Sequence, residues 1–522
     1  MQSRKWCGLL IAIGSAVLQP ALHPGYYVFA QVWVRTYDGP ANGMDNCYSL
    51  ALDSSGCLLL TGYVTLVDQG ETVPAYCTMK YTGSGERQWV KFFPRGFGLT
   101  ITADSEGNAI VAGDSFVLKY SSEGEQLWVR HCGPAFWGSD VAVDTRRNVY
   151  VTGYYLDTRY AITIKYDANG NEEWIRVDSA GNWFVSMAVD SLNNVYCGGY
   201  SYADGRWAYR IVKYKSSGER EWGISEELLN GVINKVRLSD CSDLYVVGSL
   251  LNESGPYAAA TVKYDSNGVR QWVRFFEGPG YDVGQTLAVD RNGNCYVAIG
   301  TAERPGMVTN FDIVLVKYAA DGTEIWQRRY TGYGGDDYPF AIGVDAQKNI
   351  YVCGYSDSPR SDTVLRSDYL LLKYDSLGNL QWEARYYEGE NWGWAYDLEI
   401  DPTESCVYTA GYVTKKKNGC FDYDWCTIKY LASGPGITEN EPVVNSTPIM
   451  VVSNPARSCF RIRSRLGLSS LGLYDITGRL IMSYPVRGQV DLTCYLIGVC
   501  PGVYLIKGVT AEGVLTSKLI VR

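Results

Sequence analysis

Histidine, the commonest acid–base catalyst at neutral pH, is nearly missing from this chain. The 522 residues include two histidines, His23 and His131, and His23 lies in a predicted leader. A catalytic triad that needs a second histidine, or a zinc site with several histidines, is therefore not expected. The sequence also has no glycine-rich phosphate loop and no Cys-x-x-Cys pair. We predict no catalytic residue, no metal site and no cofactor.

Carboxylates recur at one position of an internal repeat. Asp45, Asp282 and Asp337 each stand eight residues before the aspartate that ends a predicted strand, and Asn182 fills the same place in another copy. Glycoside hydrolysis uses two carboxylates about 5–10 Å apart, which makes Asp282 and Asp337 candidate site residues. Because the position recurs, we favour a second interpretation, in which these side chains cap the neighbouring part of the repeat.

Several short segments combine aspartate, asparagine and glycine, as calcium loops do. Examples are residues 167–170, 265–268 and 290–293. A complete calcium loop needs alternating ligands and a distal glutamate, which these segments do not have. We interpret them as hairpin turns, in which aspartate binds its own backbone and glycine adopts a positive φ.

Apart from Trp6 in the predicted leader, six tryptophans stand outside the regular repeat positions. They are Trp137, Trp183, Trp207, Trp392, Trp394 and Trp425. Flat aromatic rings beside acidic groups such as Asp337 and Asp424 suit an uncharged sugar, a peptide or a cation. These six, with Asp282 and Asp337, are the predicted ligand-binding residues. The competing interpretation is that the rings plug a channel or brace loops.

Two signatures alternate along the chain. The first is Lys-Tyr, then Gly four residues after the Tyr and Trp four residues later, with its lysines at Lys80, Lys119, Lys165, Lys213, Lys263, Lys317, Lys373 and Lys429. The second is an Asp followed by Asn-x-Tyr-Val-x-Gly, as in residues 144–153. Each signature reads as strand, turn, strand.

The period identifies the architecture that these strands build. Four short strands, A to D, in every 40–50 residues predict the blades of a β-propeller. The chain starts with a Trp strand, residues 31–37, and the array ends with a Lys-Tyr strand, residues 427–431, that has no Trp strand after it. We predict eight blades, with the first strand completing the last blade. The alternative is an open array with an unpaired first strand.

One face of such a ring is predicted to carry any ligand site. The A–B and C–D turns are short and uniform, whereas the B–C and D–A connections differ from copy to copy. Variable B–C segments are residues 64–74, 201–207, 301–310, 356–366 and 414–424. Because variable loops on a rigid frame suit recognition, we expect a ligand near the channel mouth on this face.

The repeats resemble the bacterial β-propeller repeat known as SBBP. The resemblance covers roughly residues 31–433 and depends on the paired Asn-x-Tyr-Val-x-Gly and Lys-Tyr-x3-Gly-x3-Trp motifs. It implies the propeller fold and says little about activity.

The first 30 residues read as a secretory signal peptide. Arg4 and Lys5 precede an apolar run, and residues 28–30 form a small-x-small cleavage site. No segment is long and apolar enough for a transmembrane helix. The net charge of −9 argues against nucleic-acid binding. Export permits disulfides, but Cys57 and Cys295 occupy matching repeat positions, so we read most cysteines as buried apolar residues and leave the disulfide pattern open.

Two further segments follow the repeats. Residues 434–448 are a predicted linker, and residues 449–522 are a predicted small β-sandwich. In the latter, residues 453–455 (Ser-Asn-Pro), 473–479, 501–507 and 518–522 resemble the C-terminal sorting domain of type IX secretion, with Val-Ser where an aromatic residue or Tyr-Pro usually precedes Asn-Pro. The resemblance implies the type IX machinery as partner and passage across the outer membrane. Removal of this domain would then release the protein or anchor it at the cell surface.

The sequence thus predicts an all-β protein: an eight-bladed β-propeller followed by a small C-terminal β-sandwich. We expect a secreted or cell-surface, non-enzymatic propeller that binds a carbohydrate or protein ligand or mediates adhesion. One alternative is a carbohydrate-active enzyme, a glycoside hydrolase or lyase, that uses carboxylates at the channel mouth. The other is a structural surface-layer component.

Overall fold

The structure is a computed structural model. It describes residues 31–433 except 42, 179–181, 204, 227–229, 252–257, 305–308, 362–363, 388–391 and 418–419, and beyond them residues 450–451, 459–463, 470–474, 480–484, 486, 491–495, 502–510 and 513–521. The predicted signal peptide, 1–30, and the predicted linker, 434–448, lie outside the described residues.

The described chain is all β-structure, as predicted. The strands up to residue 433 are β1 Gln31–Tyr37, β2 Asn46–Leu52, β3 Leu58–Asp68, β4 Glu71–Tyr81, β5 Arg87–Pro94, β6 Gly98–Ala103, β7 Ala109–Gly113, β8 Phe116–Tyr120, β9 Gln126–His131, β10 Phe136–Val143, β11 Val149–Tyr155, β12 Ala161–Tyr166, β13 Glu172–Asp178, β14 Asn182–Val189, β15 Val195–Ala203, β16 Arg206–Tyr214, β17 Arg220–Glu226, β18 Gly231–Leu238, β19 Leu244–Leu250, β20 Ala258–Tyr264, β21 Arg270–Phe276, β22 Asp282–Val289, β23 Cys295–Ala302, β24 Phe311–Tyr318, β25 Glu324–Tyr330, β26 Asp337–Val344, β27 Ile350–Ser361, β28 Val364–Tyr374, β29 Leu380–Tyr386, β30 Gly393–Ile400, β31 Cys406–Lys417 and β32 Cys420–Leu431. No helix of the described chain has the length and apolarity to cross a membrane.

These strands form four-stranded antiparallel sheets. Sheet 1 consists of β2–β5, sheet 2 of β6–β9, sheet 3 of β10–β13, sheet 4 of β14–β17, sheet 5 of β18–β21, sheet 6 of β22–β25, sheet 7 of β26–β29, and sheet 8 of β30, β31, β32 and β1. The two middle strands of a sheet are covered on both faces, so β12 is buried at every position. The fourth strand is partly exposed, and β13 alternates accordingly.

The first strands follow one another around a ring. β2 contacts β6, β6 contacts β10, and the series continues sheet by sheet until β30 contacts β2 again. Sheet 8 combines both ends of the array, because β1 pairs antiparallel with β32, with Trp33 opposite Lys429 and Tyr37 opposite Trp425.

Neighbouring sheets are held together by a recurring pair of hydrogen bonds. Lys80 Nζ and Trp89 Nε1 of sheet 1 both donate to the carbonyl of Ser122, in the C–D turn of sheet 2, at 3.1 and 3.0 Å. The equivalent groups of sheet 8, Lys429 and Trp33, both donate to the carbonyl of Gly83 in sheet 1, at 2.8 and 3.2 Å. The repeat Lys and Trp are therefore structural, as their recurrence predicts.

Sheet 7 makes only one of these two hydrogen bonds. Lys373 Nζ donates to the carbonyl of Ala432 at 2.6 Å, while the buried Nε1 of Trp382 has no hydrogen-bond partner in the described chain. The reason is local: β32 is the third strand of sheet 8, and its fourth strand, β1, comes from the other end of the array. Sheet 8 therefore has no C–D hairpin to receive the indole.

The glycine of each C–D turn is required by this packing. Gly85 has φ = 83°, and a Cβ there would lie 2.9 Å from the Trp33 ring of sheet 8. The turn therefore needs glycine both for its left-handed backbone and for the close approach of the indole.

The aspartate turns behave as the sequence predicts. Asp290 Oδ1 accepts hydrogen bonds from the backbone N–H groups of Asn292 and Asn294, both at 2.9 Å. Gly293, in the same turn, has φ = 77°. The same carboxylates can also meet the repeat lysine, as Asp53 meets Lys80 at 2.9 Å. The hairpin interpretation is confirmed.

Four variable B–C segments are not loops, which corrects the sequence interpretation; in one of them β15 and β16 pair as far as Ala203 and Arg206. Residues 64–74 continue β3 and β4 around a turn at Gln69 and Gly70. β27 and β28, and β31 and β32, are extended in the same way. The Val, Thr and Tyr residues of these segments favour the extended backbone of a two-stranded ribbon.

Cys57 and Cys295 carry free thiols. Cys295 is buried and Cys57 is half-buried, at matching positions in different sheets. Burial raises the pKa of the Cys132 thiol to about 11, so it is a poor nucleophile at neutral pH. Most of the described cysteines are buried, which confirms their interpretation as small core residues.

The C-terminal part has two sheets. Its strands are β33 Met450–Val451, β34 Cys459–Arg463, β35 Ser470–Tyr474, β36 Leu480–Tyr484, β37 Asp491–Tyr495, β38 Gly502–Thr510 and β39 Gly513–Val521. One sheet has the order β33-β34-β37 and the other β36-β35-β38-β39. Leu471, Leu473, Cys494 and Ile506 are buried there.

Candidate functional site

A cavity of about 670 Å³ lies among the first strands of the sheets. Its lining residues come from β2, β6, β10, β18, β22, β26 and β30, which are seven of the eight first strands. The cavity is therefore the central channel of the ring. Its volume is within the range of about 300–1,000 Å³ that is typical of small-molecule sites.

A β-bulge in every first strand shapes the wall of this channel. In β30 the register shifts between Ala395 and Asp397, so that Tyr396 has no pairing partner on β31. The corresponding residues of the other first strands are Tyr48, Leu99, Ser139, Val185, Asn234, Gln285 and Phe340. Because a bulge re-aims side chains, Tyr48, Phe340 and Tyr396 all line the cavity.

These three rings belong to a larger set, which we call the aromatic arc. It consists of Phe311, Tyr338, Phe340, Tyr355, Trp394, Tyr396, Tyr412, Tyr423, Tyr48, Tyr63 and Phe97. Each ring contacts another member, for example Tyr355 with Trp394 at 4.8 Å between ring centroids. The arc runs without a break from sheet 6 through sheets 7, 8 and 1 to the start of sheet 2.

The arc is only half-buried at most of its positions, including Tyr48, Phe340 and Tyr396. Burial raises the pKa of Tyr48 and of Tyr338 to about 12, so these phenols stay neutral at physiological pH. The arc thus offers uncharged aromatic faces and phenol hydroxyls at one mouth of the channel, on the side of the B–C and D–A connections.

A second aromatic cluster lies on sheet 4. Trp183 stacks on Tyr200 at 5.1 Å and an interplanar angle of 28°. Trp207 lies 5.6 Å from Trp183, and the Arg159 guanidinium lies 5.8 Å from the Trp183 ring centroid. The structure therefore brings two of the predicted tryptophans together, but with sheet 4 rather than with the arc.

The other predicted tryptophans have different environments. Trp394 is part of the aromatic arc, and Trp392 packs on Phe421 at 4.6 Å. Trp137 is half-buried on β10, opposite Tyr154. Trp425 is only 1% exposed, and its indole N–H donates to the carbonyl of Tyr63 at 3.0 Å. Trp425 is therefore a core residue that braces sheet 8 against sheet 1.

The two predicted acidic residues, Asp282 and Asp337, hold loops in place through hydrogen bonds. Asp282 is 1% exposed and accepts hydrogen bonds from Gly278 N and Thr301 Oγ1, both at 2.5 Å. Asp337 accepts bonds from Gly332 N and Ser356 Oγ. Burial raises the pKa of Asp337 to about 7. Both carboxylates tie a D–A loop to the second strand of the same sheet, which is the capping role that the recurrence favours.

Five charged residues lie deeper in the channel. Asp140 comes from β10, Lys235 and Arg237 from β18, and Asp397 and Glu399 from β30, and all five line the cavity. Lys235 Nζ is 3.8 Å from Asp140 Oδ2. The Glu399 side chain is open to the cavity, but protein surrounds it on all sides. This burial, together with Asp397, raises the pKa of Glu399 to about 8.

One group of acidic residues has the spacing of a cation site. Ligand oxygens of Asp38, Asp422 and Asp424 all lie within 4.8 Å of one another, near the junction of β1 and β32. Lys415 Nζ already lies 2.6 Å from Asp424. The lysine supplies positive charge to these carboxylates, so the group does not require a metal ion.

Sequence reasoning missed the tyrosines of the arc and the channel charges. The tyrosines have no fixed spacing, and the bulge that turns Tyr48 and Tyr396 toward the channel has no sequence signature of its own. The channel charges could have been found from the sequence. An alignment of the first strands places Arg237 and Glu399 where the other copies have Ala, Thr or Gly.

With this geometry in view, comparisons with known proteins identify the repeat. The SBBP model, a beta-propeller repeat, matches residues 271–298 and 325–359. Both stretches start in the fourth strand of one sheet and end in the second strand of the next. The sheets and the matched repeat make this a β-propeller repeat protein.

Solved structures with some similarity include three propeller-like chains. A protein of unknown function from Bacteroides caccae is 14% identical, with 53% of this chain and 93% of that chain covered and a TM-score of 0.33. A streptogramin B lyase is 11% identical (61% and 94% covered, TM-score 0.39). The virginiamycin B lyase from Staphylococcus aureus is 9% identical (61% and 95% covered, TM-score 0.39). At these values the similarity assigns neither ligand nor activity. No curated protein matches the chain.

Proposed function

We propose that this protein is an exported, non-enzymatic, eight-bladed β-propeller that binds its ligand at the aromatic mouth of the central channel. The observation that carries the proposal is the aromatic arc, an unbroken set of neutral rings around one mouth. Flat rings and phenol hydroxyls suit the apolar faces and hydroxyl groups of an uncharged carbohydrate. A ligand on this surface would meet a site that the frame holds rigid.

The eight blades and their closure belong to the same proposal. Support comes from the eight four-stranded sheets formed by β1–β32 and from the contact of β30 with β2. We assign β1 the role of closing strand, since it fills the fourth place of sheet 8 and leaves no open edge on β32.

Export is proposed from the two chain ends. Residues 1–30 would act as the leader, and residues 449–522, as a small β-sandwich, would engage the type IX machinery. Cells that express a form without residues 449–522 should retain a folded propeller in the periplasm. Surface display of that form in normal amounts would contradict the sorting role.

A glycan array in a metal-free buffer tests the binding proposal. We expect binding to at least one neutral glycan, and Tyr48→Ala and Phe340→Ala should each weaken it about tenfold. Tyr160→Ala is the matched control, since Tyr160 is an exposed tyrosine outside the arc. Equal loss of binding in all three variants, or binding that none of them alters, would contradict the proposal.

One observation favours a second candidate, a carbohydrate-active enzyme. Glu399 has a pKa raised to about 8 by burial and by Asp397, which is two residues away on the same strand. A protonated carboxyl beside a second carboxyl is the pattern of a glycosidase acid and its partner. Release of reducing sugar from any bound glycan, abolished by Glu399→Gln, would establish this candidate. Binding without release supports the non-enzymatic role.

A further inference from the structure

One level of the channel differs from sheet to sheet in a simple way. The position three residues after the bulge pairs with the second strand of its sheet and is small in six sheets. These residues are Ala51, Thr102, Ala142, Ala188, Ala288 and Gly343. The two exceptions are Arg237 in sheet 5 and Glu399 in sheet 8. Two long side chains of opposite charge therefore share a level that is otherwise lined by short ones.

Neither of these charges has a partner of opposite charge. Within the described residues, Arg237 makes one hydrogen bond, from Nη1 to the carbonyl of the adjacent Val236 at 3.1 Å, and Glu399 makes no hydrogen bond or ion pair. Both line the same cavity. Both side chains are exposed to the cavity, where the low-dielectric wall strengthens the attraction of each for a ligand group of opposite charge.

The charged residues directly after the bulge, which lie nearer the aromatic arc, already have hydrogen-bond or ion-pair partners in the protein. Asp397 accepts hydrogen bonds from Ser49 Oγ and Leu50 N, both at 3.0 Å. Asp140 accepts bonds from Ser186 Oγ and Met187 N of sheet 4, at 3.1 and 3.0 Å.

Lys235 reaches toward Asp140. These three residues therefore determine the electrostatic potential around the site. Lys235 makes it positive beside Arg237, and Asp397 makes it negative beside Glu399. The groups left for direct contact with a ligand are the guanidinium of Arg237 and the carboxyl group of Glu399, which a ligand cation at hydrogen-bond distance holds in its ionised form.

We propose that the channel is a binding site for a small zwitterion with the ammonium and carboxylate groups of a free α-amino acid or dipeptide. The ligand carboxylate accepts hydrogen bonds from Arg237, and Lys235 adds positive charge beside it. The ligand ammonium donates to Glu399, and Asp397 adds negative charge on that side. The site uses different residues from the aromatic arc, so it does not depend on the proposed glycan site.

Other ligand classes fit this level less well. A polyanion such as a nucleotide would meet three carboxylates, Asp140, Asp397 and Glu399. A divalent cation would meet Lys235 and Arg237. A neutral sugar would make no pairing of opposite charges with either side chain, whereas a zwitterion makes one with each.

Binding to the purified full-length protein tests the proposal. The probes are pools of the twenty proteinogenic amino acids and of their glycyl dipeptides, screened by thermal shift and followed by calorimetry of single compounds. We expect at least one compound to bind, and Arg237→Ala and Glu399→Ala each to weaken binding at least about tenfold. Alanine already occupies this position in four other sheets, so both variants should fold. Arg291→Ala and Glu125→Ala, which remove exposed charges elsewhere, are the matched controls.

Modified ligands and an exchange of the two charges sharpen the test. N-acetylation of the bound compound removes its positive charge and should weaken binding to the parent protein at least about tenfold, while what binding remains still depends on Arg237. The double variant Arg237→Glu with Glu399→Arg should recover part of the affinity that each single change loses. Tyr160→Ala, which removes an exposed tyrosine outside the cavity, should leave amino-acid binding unchanged.

Three results would overturn the proposal. The first is that no amino acid or dipeptide binds at millimolar concentration. The second is that N-acetylated and free compounds bind equally well. The third is that Arg237→Ala and Glu399→Ala leave binding intact. If either alanine variant unfolds, Arg237→Gln and Glu399→Gln replace it with nearly the same shape and no charge. A loss of glycan binding alone would contradict the proposed function and not this site.

Discussion

The residues at the junctions between sheets are nearly the same in every copy of the repeat, whereas the residues in the channel wall differ from copy to copy. At the junctions, the repeat Lys of every sheet donates to a carbonyl of the next, from Lys80 onto Ser122 around to Lys429 onto Gly83. In the wall, the residue after the bulge changes from sheet to sheet, being Asp140 in sheet 3, Lys235 in sheet 5 and Asp397 in sheet 8.

This contrast teaches how to separate packing from recognition in a repeat protein. A contact needed to hold two neighbouring sheets is needed at every junction, so it recurs. A ligand at the channel occupies one place, so the residues that meet it occur once. The departures Arg237 and Glu399 are therefore more informative than the repeat signature itself.

The largest effect at the junctions should come from removing β1. Deletion of residues 31–37 takes away Trp33, whose indole bonds the carbonyl of Gly83, and exposes the edge of β32. Loss of one large buried aromatic already costs about 3–5 kcal/mol, so the free energy of unfolding should fall by at least about 5 kcal/mol. Chemical denaturation measures this fall.

A peptide of residues 31–37 supplies the control for that deletion. Added in excess, it should bind the exposed edge of β32 and restore part of the lost stability. A deletion protein that unfolds at the same denaturant concentration as the parent would show that β1 does not close the ring.

On the variable face, the buried Asp337 should make stability depend on pH. Burial raises the pKa of this carboxyl in the folded protein to about 7, from its ordinary value of 3.8. Between these pH values the unfolded chain loses this proton while the folded chain keeps it, so stability falls as pH rises through the window. Asp337→Asn removes that contribution, and its stability relative to the parent should therefore rise by several kcal/mol between pH 4 and pH 7. Parallel pH profiles of the two proteins would show that the carboxyl is ionised in the fold.

Much of the fold could be predicted because it repeats. The alternation of Lys-Tyr and Asn-x-Tyr-Val-x-Gly strands gives the all-β fold and its four-stranded units, and the Asp turns bind their own backbone as expected. Recurrence also favoured capping for Asp282 and Asp337, which the buried hydrogen bonds of both carboxylates bear out. Periodicity alone was sufficient for each of these.

The site was predictable only in part, since it lacks that periodicity. Of the unusual tryptophans, Trp394 belongs to the aromatic arc and Trp183 to the cluster on sheet 4, but Trp425 proved to be core. The ring centroids of Tyr48 and Tyr396 lie 5.6 Å apart only because bulges in two neighbouring sheets, 1 and 8, turn both side chains toward the channel. Such a long-range contact has no signature in a single sequence.

At the junctions, one glycine should separate backbone strain from packing. Gly85 and Gly70 have nearly equal φ values of 83° and 86°, but a Cβ at Gly85 would meet the Trp33 ring at 2.9 Å and one at Gly70 would meet nothing within 4 Å. Gly70→Ala should cost about 1 kcal/mol for the left-handed backbone alone. Gly85→Ala should cost roughly 2–4 kcal/mol, because the clash is added. Thermal unfolding compares them, and equal losses would mean that the indole moves aside freely.

The smallest effect tests a single hydrogen bond of the junction. Trp272 and Trp382 are both buried, at 8% and 5% exposure. Trp272 Nε1 donates to the carbonyl of Ala320 at 3.0 Å, whereas Trp382 Nε1 has no partner in the described chain. Replacement by Phe removes an indole of the same size from each site, so the packing losses nearly cancel in the difference. Trp272→Phe should therefore lower the free energy of unfolding by about 1 kcal/mol more than Trp382→Phe does. An equal loss in denaturant titrations of both variants would show that the shared carbonyl adds nothing to the stability of the junction beyond the packing of the ring.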